Sequence, residues 1–131
     1  MMSYLSDQLL ATWTLSQISP QIRTALKNRD WKTAKRLLRQ IRAQRRSLFE
    51  EHFWDAEIEL HCGSHKRAAT RFLKAQELNP CHPRPYIALL QYFSTKHGAN
   101  SPLKTLIEKA RKYCPDHIPL RQLIQTIEQQ A

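Results

Sequence analysis

The chain has 131 residues and a net charge of +10, from 21 Lys and Arg against 11 Asp and Glu. No apolar run approaches the ~20 residues that cross a bilayer, and the amino terminus lacks the basic-then-apolar order of a secretory signal, so a cytoplasmic protein is expected. Three widely spaced cysteines argue against a disulfide framework and for a reducing compartment, and a chain with two glycines is expected to be almost entirely helical.

In chain order, Ser3 is placed to cap a first helix to about Leu15, with Leu5, Leu9, Leu10 and Trp13 on one side. Ser19-Pro20 reads as the start of a second helix carrying Ile22 and Leu26 and ending near Asn28, since proline at the first helical position gives up an amide that has no partner there. Asp30 caps a third helix with the apolar arc Trp31, Ala34, Leu37, Leu38 and Ile41. No Gly or Pro follows it, but Ser47 with Glu50 forms a capping box, which predicts a turn at Arg46 and Ser47. The helix beyond has an inward stripe of Phe49, Phe53, Ala56 and Leu60 and a second apolar edge of Trp54 and Ile58, so burial on two sides is expected, the second edge being covered either by the first helix through Leu5, Leu9 and Trp13 or by a partner segment. Ser64 caps the next helix, and the connection from Pro80 to Pro85 restarts one near Arg84 that runs through Ile87, Leu90 and Phe93 to His97. Ser101-Pro102 opens a helix with Leu103, Leu106, Ile107 and Ala110 inward. Asp116 opens the last, with Leu120, Leu123, Ile124 and Ile127 inward.

Landmarks recur along this series. Adding 35 takes Gly63 to Gly98, Phe72 to Ile107, Ala75 to Ala110 and Pro80 to Pro115; subtracting 34 takes Ala68 to Ala34 and Phe72 to Leu38. Self-similarity at this spacing marks a stacked helical repeat. With Ala68, Phe72 and Pro80 in the second helix, the pattern resembles the tetratricopeptide repeat. The resemblance implies an all-α, right-handed α-α superhelix of about three helix-turn-helix repeats in one domain. It implies an N-terminal helix over residues 1–18, a degenerate repeat over 19–46, two repeats over 47–80 and 81–115, and a C-terminal capping helix over 116–131. It also implies a concave groove lined by Glu50, Phe53, Trp54, Glu57 and His61 from the middle copy and Ala88, Leu89, Tyr92 and Lys96 from the third, suited to a peptide or helix of another protein.

Charge is distributed unevenly. Between Arg23 and Arg46 there are ten Lys or Arg and one acid, and between Ser47 and Cys62 five acids and no Lys or Arg. At about 100° per residue, Lys32, Lys35, Arg36, Arg39, Arg42 and Arg46 fall along one flank of their helix. Such a stripe attracts phosphate polymers, unless Glu51, Asp55 and Glu59 on the antiparallel neighbour neutralise it. Further Lys and Arg on the equivalent helices of the other copies lie on what the resemblance makes the convex side. His61, Cys62, His65, Cys81, His82, Cys114 and His117 lack the paired spacing of a zinc site, and no phosphate loop, nucleophile elbow or acid-base pair is present. The sequence therefore points to a non-catalytic module without metal or cofactor. The first reading is an adaptor or chaperone-like scaffold that takes a partner segment in the aromatic groove, and the alternative is nucleic-acid or ribonucleoprotein binding through the basic face.

Overall fold

The structure, a computed structural model, describes residues 15–44, 48–95 and 102–130. The expectations for the first helix with Leu5, Leu9, Leu10 and Trp13, and for Arg46, Ser47, Lys96, His97, Gly98 and Ser101, lie outside the described residues. All regular elements among them are helices: α1 (Leu15–Lys27), α2 (Trp31–Gln44), α3 (Leu48–Cys62), α4 (His65–Leu78), α5 (Pro83–Ser94), α6 (Leu103–Tyr113) and α7 (Ile118–Gln129). The chain falls into two compact units, Met1–Ala68 and Ala69–Ala131, with the division inside α4.

In the first unit α1, α2 and α3 pack pairwise around Ile18, Ile22, Leu37, Ile41 and Ala56. The helix start expected at Ser19-Pro20 is corrected, because α1 begins at Leu15 and Pro20 sits inside it. A proline there removes one helical hydrogen bond and strains the turn before it. Ile18 and Ile22, one turn apart and both fully buried, carry the apolar stripe across it. The helix ends in a Schellman motif: Asp30 N–H donates to Ala25 O and Arg29 N–H to Leu26 O, with Arg29 in the left-handed region at φ 58°. Asp30 then caps α2 as expected. Its carboxylate accepts from Thr33 N–H at 3.2 Å and from the Thr33 hydroxyl at 2.6 Å.

The chain reverses between α2 and α3. Arg42 bonds the Asp55 carboxylate at 2.9 Å, whereas their separation of 13 positions would span about 20 Å of unbroken helix. The middle of α3 is buried all the way round, from Phe53 through Trp54, Asp55, Ala56 and Glu57 to Ile58, in keeping with its two apolar edges. Ser64 caps α4, its hydroxyl accepting from Arg67 N–H.

In the second unit α5, α6 and α7 pack pairwise around Leu89, Leu90, Leu106, Ala110 and Leu120, with Phe72 and Ala75 of α4 also buried. The buried Tyr86 hydroxyl accepts from the Gln76 side chain at 3.1 Å. The turns that follow α4 and α6 share one hydrogen-bond scheme at an offset of 35. Asn79 N–H donates to Ala75 O and His82 N–H to Asn79 O; Cys114 N–H donates to Ala110 O and His117 N–H to Cys114 O. Each scheme ends on a histidine that caps the next helix, the Nδ1 of His82 accepting from Arg84 N–H and that of His117 from Leu120 N–H. His117 thus replaces Asp116 as the start of the last helix, whose Leu120 and Ile124 are buried and whose Leu123 and Ile127 are half-buried. Among the described residues no helix is long and apolar enough to cross a membrane.

Candidate functional site

The residues expected to line a groove divide by burial. Trp54 is 3% exposed and is held on its own chain: its indole N–H donates to Ser19 Oγ at 3.2 Å and to Glu50 Oε2 at 3.0 Å. The Arg23 guanidinium lies over its ring at 5.7 Å, and Phe53 meets it edge-on at 4.9 Å. The apolar edge on α3 is therefore covered in part by α1, which the sequence did not indicate because Ser19 reads there as a cap. Phe53 and Glu57 are also buried, Glu50 is half-buried and His61 is exposed. In the second unit Leu89 and Ala88 are buried, and Tyr92 is half-buried against Phe93. Phe53, Trp54, Glu57, Ala88 and Leu89 are thus buried within their own units.

The basic flank of α2 has the opposite character. Lys32, Lys35 and Arg39 are exposed and Arg36 is half-buried. Arg42 is paired with α3, bonding Asp55 at 2.9 Å and approaching Glu51 at 3.4 Å. Glu59 does not join them: its carboxylate turns to the Gly63-Ser64 corner, where it accepts from Ser64 N–H and lies 3.8 Å from Arg67. Glu51 and Asp55 are thus engaged at the Arg42 end of the stripe and Asp30 lies near Lys32 at the other, and Lys32, Lys35 and Arg39 stand exposed in a row.

A cleft of about 500 Å³ opens where α1 gives way to α2 and α3 ends. Leu26, Lys27, Arg29, Trp31 and His61 line it. The Trp31 and His61 rings lie 6.2 Å apart at 41°. His61 Nδ1 donates to Glu57 O at 2.7 Å, which fixes the ring and leaves Nε2 as its other polar atom. Sequence periodicity assigns Trp31 to the apolar arc of α2 and gives no sign of this cleft. The Arg29 conformation that closes it onto α2 comes from a turn type usually built on glycine.

Two of the other histidines and two of the cysteines have structural partners. His82 and His117 are caps, Cys62 Sγ–H donates to Ile58 O, and Cys114 Sγ–H reaches Cys81 O at 3.3 Å. Among the described residues no three His, Cys, Asp or Glu side chains converge as metal ligands. No protein-family model, no curated protein and no solved structure matches this chain.

Proposed function

We propose that this chain is a non-catalytic, tetratricopeptide-like binding module that engages nucleic acid through the basic flank of α2. The observation that carries the reading is the exposed row Lys32, Lys35 and Arg39, with the adjacent acids Glu51 and Asp55 turned to Arg42. Cations spaced along successive turns of one rigid helix meet successive phosphates and release their counterions, which gives sequence-tolerant, salt-sensitive attachment. The repeat architecture is supported by the shared turn scheme at 75–82 and 110–117. Groove capture of a peptide needs Phe53, Trp54 and Leu89 accessible, and their burial weighs against it.

The test is fluorescence anisotropy with a labelled oligonucleotide over a range of salt. Binding falls steeply with salt in the native protein. The variant Lys32→Glu/Lys35→Glu/Arg39→Glu loses affinity and flattens the salt slope by roughly one unit per phosphate contact removed, with its helical circular dichroism intact. Equal affinity in both proteins at every salt concentration would reject the reading.

A further inference from the structure

We propose that the cleft of Leu26, Lys27, Arg29, Trp31 and His61 holds an unpaired nucleobase, making the module selective for single-stranded over duplex nucleic acid. The inference rests on the basic-row reading and adds a second kind of contact to it.

The cleft combines what a nucleotide presents. Trp31 is half-buried and lines the cleft, and the buried Leu26 adds an apolar wall. A planar base stacks on an indole whatever its sequence, because every base has a π-face. The tilt of 41° between Trp31 and His61 means that the two rings do not cover each other as a closed stack. Lys27 and Arg29 are exposed at the mouth and supply positive charge for the phosphate, and no carboxylate lines the cleft. Asp30 lies between Arg29 and Trp31 in sequence, but its carboxylate oxygens accept from Thr33, which turns its charge toward the first turn of α2. With Nδ1–H committed to Glu57 O, His61 Nε2 is left to accept from an N–H on a base edge.

The elements around the cleft hold these groups in place. The Arg29 backbone is fixed by the closing hydrogen bonds of the α1 turn, and the His61 ring by its bond to Glu57 O. Trp31 is the first residue of α2, so the row Lys32, Lys35 and Arg39 leads away from the cleft along the same helix. A strand with one base in the cleft has its backbone directed onto that row. A duplex offers its phosphates to the row but keeps its base faces stacked, and reaching Trp31 would require a base to be extruded at a cost. Preference for the single strand follows.

The experiment compares a short labelled oligothymidylate with the corresponding dA·dT duplex by anisotropy, using the full chain. The native protein binds the single strand roughly tenfold or more tightly than the duplex, and Trp31→Leu removes about that preference while leaving the salt slope unchanged. Trp31→Phe retains most of it, because a smaller aromatic still stacks. Arg29→Gly gives an independent variant, since glycine adopts the left-handed conformation without strain; it folds and binds the single strand more weakly. If Trp31→Leu and Arg29→Gly bind both ligands as the native protein does while Lys35→Glu/Arg39→Glu weakens both, the stacking site is refuted and the basic row stands. If the charge reversal also has no effect, the proposed function itself is refuted. Equal affinity of the native protein for single strand and duplex overturns the stacking site alone.

Discussion

Tyr86 has no exposed surface, and its hydroxyl is satisfied inside the second unit by the amide of Gln76. Burial disfavours the phenolate and pushes its pKa up to about 12, while the hydrogen bond from Gln76 pulls weakly the other way. The folded value lies above the unfolded one of 10.0, so the stability this group contributes is complete below pH 10 and is lost as pH rises through about 12. A spectrophotometric titration is expected to show one tyrosine ionising late and together with unfolding; Tyr86→Phe abolishes the late step. That substitution also strands the Gln76 amide in the core at a cost of about 1–3 kcal/mol, and adding Gln76→Leu recovers part of it. Arg29 makes the opposite case, a side chain where the backbone suits glycine. Arg29→Gly is expected to raise stability by up to about 1 kcal/mol, measured by urea unfolding, because the left-handed conformation costs an L-residue energy that glycine avoids. The same substitution that weakens single-strand binding thus stabilises the fold, which separates the two effects.

At the level of the element, the caps show what local sequence reveals. Asp30 and Ser64 were legible because a short polar residue immediately before an apolar helical period has one obvious use. Asp30→Ala is expected to cost about 1 kcal/mol in the denaturant midpoint. Hydrogen bonds from the Thr33 hydroxyl and amide hold the Asp30 carboxyl below its ordinary value of 3.8. Its contribution is therefore present above pH 3.8 and fades as pH falls through the lower folded value, so native and variant converge in acid. Ser19-Pro20 was misread because the same dipeptide fits a helix start and a tolerated interior position; the burial of Ile18 upstream decides between them, and burial is a tertiary fact. His117 was missed because Asp116, a commoner capping residue, stands beside it, and only the turn at Cys114 shows which side chain reaches Leu120. The covering of Trp54 by Ser19 and Arg23 was hidden for a related reason, since Ser19 lies 35 positions from it in sequence and Arg23 stands one turn further along the same helix.

Across the whole molecule, the helical class and the reversal between α2 and α3 were legible, the first from composition and period, the second from the capping box of Ser47 and Glu50. The separation of accessible from covered aromatics was not, because the hydrophobicity of Trp31 and Trp54 is identical and only packing distinguishes them. The net charge of +10 acts on every part of the fold at once. Like charges repel in the compact state, and salt screens them over roughly 10 Å at 0.1 M. The thermal midpoint is expected to rise with sodium chloride between dilute buffer and physiological ionic strength, followed by circular dichroism; a falling midpoint would mean that pairs such as Arg42 with Asp55 outweigh the repulsion. Within the second unit, the Cys114 thiol donates to the backbone of the preceding turn, at Cys81 O, and burial pushes its pKa up. Cys62 and Cys81 are exposed. A thiol reagent given to the native protein will consume those two at once and the third only as fast as the corner at Pro80-Cys81 swings away from α6. The lag is a clock, built into the chain without any added label, for how often that joint breathes.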